Sequence, residues 1–245
     1  IASLQYTSGT TGFPKGALLT HAGMLANAWG ISSRLRVTAD DRWTSIIPLF
    51  HCAGCIMCIL GTLQRGSCYV GAPAFSPTAM FELIQREKCT LLSGVPTSHI
   101  AMLNHPEREK YDLSTLRAGT CGGADTDPSL LRDCAKKFPL PGVVQVYGQT
   151  EASTLISLAD CESPDRFDTC GPPLPGVEVR ITDTETGDEF PIGKIGQIET
   201  RGSMVMQGYY RNEKATREII GLDGWMKTGD LGYLTPEGNI VVAGG

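Results

Sequence analysis

The chain has 245 residues, 41% of them hydrophobic, which is enough for one large domain or two small ones with a substantial core. Its 21 basic and 26 acidic residues give a net charge of -5 and are spread along the chain, so the basic stripe of a nucleic-acid surface is missing. No apolar run approaches the roughly 20 residues that span a bilayer, and the first residues lack the basic flank and small-residue cleavage site of a leader. The expectation is a cytoplasmic protein. Nine cysteines, odd in number and scattered, fit a reducing compartment better than a disulfide framework.

Residues 1–6 and 17–19 read as strands around the loop Tyr-Thr-Ser-Gly-Thr-Thr-Gly-Phe-Pro-Lys-Gly, from Tyr6 to Gly16. Gly9, Gly12 and Gly16 let the backbone bring N–H groups close to an anion. Thr7, Ser8, Thr10 and Thr11 add hydroxyl donors and Lys15 a mobile positive charge. Such chemistry suits a polyphosphate. A Walker loop is excluded, because Gly16 stands where that motif needs Ser or Thr after its lysine. A flexible linker with this composition would not be flanked so closely by two strand-like runs.

A helix is predicted over 20–35 with Thr20 as N-cap, then a strand over 43–47 and a helix near 54–64. Strands follow at 67–70, 90–93, 116–120 and 143–147, alternating with helices at 77–88, 97–103 and 128–138. That alternation predicts an α/β fold with a mainly parallel sheet and flanking helices. Cys52, Cys55 and Cys58 have a spacing used by iron–sulfur ligands, but the fourth cysteine with its following proline is missing, so the reading is core packing on a buried helix. Beyond Cys170, prolines and glycines cluster, and short alternating segments at 177–182 and 196–200 with turns at Thr186-Gly187 and Pro191-Ile192-Gly193 predict a small β subdomain. The division expected is therefore 1–170 (α/β) and 171–245 (β-rich).

Taken alone, Asp230 reads as a turn residue, Glu151 as an acid at a helix start, and Tyr147 and His51 as core. His21, His99 and His105 are not spaced as zinc ligands, and no Gly-x-Ser-x-Gly pentapeptide is present.

The loop from Tyr6 to Gly16 resembles the signature loop of the adenylate-forming enzymes, the superfamily of acyl- and aryl-CoA synthetases, luciferases and peptide-synthetase adenylation domains. Tyr147-Gly148-Gln149-Thr150-Glu151 and Gly224-Trp225-Met226-Lys227-Thr228-Gly229-Asp230 resemble two further motifs of that family, in the same order. Pro48-Leu49-Phe50-His51, Gly122-Gly123-Ala124, Gly171 to Gly176 and Gly208-Tyr209-Tyr210 add weaker agreement, so the likeness covers nearly the whole chain.

The resemblance implies a distorted β-barrel in the β-rich subdomain, and ATP, Mg²⁺ and coenzyme A as reactants or cofactors. It implies that Thr7 to Lys15, including Ser8, Gly9, Thr10, Thr11 and Gly12, hold the β and γ phosphates, and that Thr150 donates to the α phosphate. Glu151 would bring Mg²⁺. Tyr147 and Gly148 would face adenine on one side and Gly122, Gly123 and Ala124 on the other. Asp230 would accept from both ribose hydroxyls with two free carboxylate oxygens, and His51 would gate the acid. Small and aliphatic residues after His51 and around Val95-Pro96-Thr97 favour a fatty or aryl acid over an amino acid. Both ends look cut from a longer chain. Family members carry a mobile C-terminal domain whose lysine assists adenylation, so these residues alone are expected to turn over little. A luciferase-like or peptide-synthetase activity, or a non-catalytic nucleotide-binding module, is the alternative, and a homodimer is compatible with the family.

Overall fold

The computed structural model describes residues 1–7 and 13–244. β1 (Ser3–Thr7) and β2 (Lys15–Leu19) pair antiparallel, with Thr7 opposite Lys15. Ala17 and Leu19 of β2 are buried, whereas Leu4 and Tyr6 of β1 face outward. α1 (His21–Arg34) starts where expected, with the Thr20 hydroxyl accepting from Gly23 N–H at 2.9 Å.

Next come β3 (Arg42–Ser45), a π-helix (Ala53–Leu60) that continues into α2 (Gly61–Arg65), β4 (Cys68–Gly71), α3 (Pro77–Glu87), β5 (Leu91–Gly94) and α4 (Pro96–Leu103). β6 (Ala118–Cys121), α5 (Pro128–Lys136), β7 (Gly142–Tyr147) and β8 (Ser157–Leu158) complete this part. The six strands lie in the order β4-β3-β5-β6-β7-β8; the first five are parallel and β8 is antiparallel to β7. Both faces of the sheet are covered, as its strands require. Leu92 and Val143 join Phe81, Phe138 and Leu131 in one core, while their chain neighbours Leu91 and Val144 join Trp43, Ile31 and Met57 in another.

The single α-helix expected over 54–64 is instead a π-helix followed by a short α-helix. Over eight wholly apolar or small residues, Ala53 to Leu60, the pattern has no polar face by which to tell one helical period from another. Cys52 and Cys58 are buried, all nine cysteines are free thiols, and burial pushes the Cys58 thiol up to about 12.

Beyond Gly171, β9 (Val177–Thr182), β10 (Gly196–Gly202), α6 (Glu213–Ile219), β11 (Met226–Leu234) and β12 (Ile240–Gly244) follow. Their strands form an antiparallel sheet in the order β12-β11-β10-β9. The expected barrel is not shown: among the described residues the edge strands β9 and β12 do not pair with each other. Asp230 lies within β11 and not in a turn.

At the N-terminal ends of the parallel strands, Asp41 is 4% exposed and receives two bonds from Arg117, at 2.8 and 2.6 Å, one from Thr90 Oγ1 at 2.6 Å and one from Thr38 N–H at 2.8 Å. Burial pushes this carboxyl up, but the Arg117, Thr90 and Thr38 bonds together hold it below the ordinary aspartate value. Replacing Arg117 by methionine leaves that carboxylate buried without its cation, so a loss of about 2–3 kcal/mol in urea unfolding is expected at neutral pH. Because the folded value is depressed, Asp41 stabilises the parent above its ordinary value and stops doing so as pH falls below about 4; the variant's deficit should shrink over that interval.

Candidate nucleotide site

The segments that leave the C-terminal ends of the parallel strands converge on one edge of the sheet. β3 leads to His51, β5 to Val95, β6 to Gly122, Gly123 and Ala124, and β7 to Gly148, Thr150 and Glu151. From β3 the chain crosses first to β4 on one side and then to β5, β6 and β7 on the other, and an open α/β sheet binds ligands at such a reversal. The register of β6 on β7 sets Cys121 beside Gln145, which brings Gly122 and Gly123 level with Val146 and Tyr147. A methyl group on Gly122 would lie 2.3 Å from Val146 Cγ2, so only glycine allows the two strands to leave the sheet this closely.

The loop after β7 is tightly held. Thr150–Ala152 is a single 3₁₀ turn, after which Ser153 and Thr154 both take positive φ, 55° and 121°. For Thr154 that is a strained backbone, and such strain persists only where the surroundings over-determine it. Here they do. Asn27, fully buried on α1, donates to Leu155 O at 2.6 Å and accepts from Leu155 N–H at 3.2 Å. Ser153 donates to Met204 O at 2.7 Å, and Met206 N–H donates to Glu151 O at 2.8 Å.

Three side-chain groupings bring the expected residues together. First, Tyr147 donates its hydroxyl to Asp230 Oδ2 at 2.8 Å, joining β7 to β11. Burial lifts the Asp230 carboxyl above its ordinary value and the Tyr147 bond offsets only part of that; burial and the Asp230 charge raise the Tyr147 phenol. The expectation that both Asp230 oxygens are free is thus corrected: Oδ2 already has one partner, though each carboxylate oxygen carries a second lone pair. Second, Glu151 Oε1 accepts from the Tyr209 hydroxyl at 2.6 Å, and Lys15 Nζ lies 5.1 Å from the Tyr209 ring centre. Third, the buried Cys52 thiol lies 3.5 Å from Thr150 Oγ1 and 3.7 Å from His51 Nδ1, beside an exposed His51 ring. Ala53 N–H donates to His51 Nδ1 at 3.1 Å, which leaves the proton of the neutral ring on Nε2.

Thr7 is at the end of β1 opposite Lys15, and both strands of that hairpin pack against the 150–152 turn. Gly123 and Ala124, just beyond the end of β6, are exposed. Ser8, Gly9, Thr10, Thr11 and Gly12 lie outside the described residues. No direct contact joins the Tyr147–Asp230 pair to Lys15 among the described hydrogen bonds. Reasoning from the sequence missed Asn27, Cys52 and the contact of Tyr209. Tyr209 falls in a quoted motif, but nothing in its spacing indicates a partner at Glu151.

Residues 1–210 match the family described as AMP-binding enzyme, so the chain belongs to that family. YngI of Bacillus subtilis is 39% identical over the whole chain, and 4-coumarate–CoA ligase 4 of Arabidopsis thaliana is 34% identical over 98% of it. ATP-bound MatB of Rhodopseudomonas palustris superimposes over the whole chain with a TM-score of 0.91 at 32% identity. The chain covers 45% and 43% of the two relatives and 48% of the MatB chain, so it spans about half the length of the proteins it matches.

Proposed function

We propose that this chain supplies the nucleotide-binding part of an AMP-forming acid–thiol ligase, which joins a carboxylic acid to ATP as an acyl-adenylate and passes the acyl group to coenzyme A in the complete protein. The observation that carries the reading is the grouping of Lys15, Tyr209 and Glu151 beside Thr150, at the end of a parallel strand whose last residue is bonded to Asp230. ATP binding is known in the related MatB structure and AMP binding in a related O-succinylbenzoate CoA synthetase.

In the reaction a carboxylate oxygen forms a bond to the α phosphorus while the bond to pyrophosphate breaks. Lys15 and the hydroxyl-rich loop draw off charge from the leaving pyrophosphate, and Thr150 donates to the α-phosphate oxygens. Asp230 orients the ribose through Oδ1 and the remaining lone pair of Oδ2, with Tyr147 fixing its carboxyl. His51, with its proton on Nε2, donates toward the incoming carboxylate. Catalysis of this type rests on positioning and charge stabilisation.

Glu151 fits a magnesium ion: it is half-buried, one oxygen is tied to Tyr209, and Mg²⁺ is commonly held by one or two carboxylates plus substrate phosphates. When bound there, the ion would neutralise phosphate charge. The substrate class that suits the small and aliphatic residues beyond His51 is a fatty or aryl acid. The division at 170–171 gives the acid and nucleotide to the first part and the ribose carboxylate to the second.

Acid-dependent exchange of labelled pyrophosphate into ATP tests this with the complete polypeptide, over short, medium, long and aryl acids and amino acids. Exchange with a fatty or aryl acid is expected. ATP binding without exchange for any acid would assign a non-catalytic nucleotide-binding module instead.

A further inference from the structure

The segment from Gln207 to Tyr210 adds itself to β2 as an extra strand. Gln207 N–H donates to Leu18 O at 2.9 Å, Leu18 N–H to Gly208 O at 2.9 Å and Tyr210 N–H to Gly16 O at 2.7 Å. Tyr209 N–H is taken up by Thr216 Oγ1 at 2.8 Å, from α6. Just upstream, Met206 N–H holds the carbonyl of Glu151 itself. One short stretch of backbone is therefore fastened both to the hairpin that carries Lys15 and to the turn that carries Glu151. Tyr209 is the residue on it whose side chain reaches both: the residue is buried, its hydroxyl holds Glu151 Oε1 and its ring face lies under Lys15 Nζ.

We propose that Tyr209 is a positioning residue for this site, fixing the Glu151 carboxylate so that its other oxygen is presented to the nucleotide-bound cation, and holding Lys15 beside it. The proposal rests on the reading of Glu151 as the cation-binding carboxylate. A glutamate side chain turns freely about three bonds, and a phenol donating to one oxygen removes that freedom while leaving the charge in place. Partners of this kind, bonded to a metal-ligating carboxylate, commonly change metal affinity by 10- to 100-fold when removed. The aromatic face stabilises the Lys15 ammonium before phosphate arrives. A role in packing alone would need the ring but not its hydroxyl.

The test is calorimetric titration of ATP into the complete polypeptide at a series of Mg²⁺ concentrations, which reads cation affinity without turnover. Tyr209→Phe, which keeps the ring and its packing, is expected to raise the Mg²⁺ concentration needed for half-maximal ATP affinity by about tenfold. Glu151→Asp, which keeps the charge but withdraws the carboxylate from the phenol, should shift it in the same direction. In a Glu151→Gln background the Tyr209 substitution should add no further shift. If Glu151→Gln changes the Mg²⁺ dependence but Tyr209→Phe moves it less than twofold, or if the two effects add in full, the role of Tyr209 is overturned and the cation site stands. If Glu151→Gln leaves the Mg²⁺ dependence unchanged, the reading of Glu151 fails and the proposal fails with it.

Discussion

Glu151→Gln is expected to lower acid-dependent pyrophosphate exchange by about 100- to 1,000-fold while leaving the unfolding midpoint close to that of the parent. Glutamine has nearly the same volume and keeps a carbonyl oxygen able to accept from the Tyr209 hydroxyl, so the contact at 2.6 Å has a substitute. What is lost is the charge. Among the described residues no group of three His, Cys, Asp or Glu side chains is placed to hold a metal ion, so no neighbouring set of acids takes over. Stabilisation of transferring phosphate by a metal is worth several kcal/mol, and about 1.4 kcal/mol corresponds to each factor of ten in rate. A loss smaller than about fivefold, with the protein folded, would remove Glu151 from the chemistry. Measuring both exchange and unfolding separates loss of the cation from loss of the loop.

The same residue shows why some of the molecule was legible in the sequence and some was not. The α/β half announces itself because its central strands β5, β6 and most of β7 are buried on both faces and read as short runs of apolar and small residues, alternating with helical segments. Its helices are bounded by capping residues, such as Ser76 with Pro77 and Asp127 with Pro128, whose side chains do accept from Ala79 and Ser129 N–H. α6 gives no such pattern. Its seven residues bury only Ala215, and the one cue was Asn212, whose side chain caps Ala215 N–H at 3.1 Å. β11 is disguised for another reason: lysine, aspartate and two glycines interrupt its alternation, and its pairing with β10 slips between Gln197 and Glu199. Lone Asp230 therefore looks like a turn when it is part of a strand.

For the candidate site, local motifs point to the residues proposed for phosphate and ribose, but not to what holds them. Asn27 and Leu155 are 128 positions apart, and Glu151 and Tyr209 are 58 apart. Both contacts exist only because α1 and the 207–210 segment dock on the hairpin and on the β7 loop. A buried asparagine inside an amphipathic helix reads as a defect from sequence alone; in the fold it bonds both the N–H and the C=O of Leu155.

Gly148→Ala should be the most damaging single-methyl change at this edge of the sheet, with a loss of about 4 kcal/mol in urea unfolding and no measurable ATP binding under conditions that saturate the parent. Gly148 is solvent-exposed, so burial does not predict this. Direction does: its new Cβ would lie 2.0 Å from Thr154 O and 2.5 Å from Leu155 Cα, both backbone atoms that cannot rotate aside. Relief requires the two limbs of the loop to separate. The limb that must move is pinned by Asn27 and already strained at Thr154, so separation breaks buried bonds instead of relaxing into space. It also displaces Thr150 and Glu151, which hang between the limbs. Gly123→Ala is the matched control. There φ is +80°, but the nearest atom to the new Cβ is 3.7 Å away, so only the left-handed backbone resists, at about 1–2 kcal/mol. If the two variants lose equal stability, the contact of Gly148 with Thr154 is not what closes the loop; if Gly148→Ala unfolds well before Gly123→Ala and fails to bind ATP, the close approach of these two backbones is what holds Thr150 and Glu151 at the proposed phosphate site.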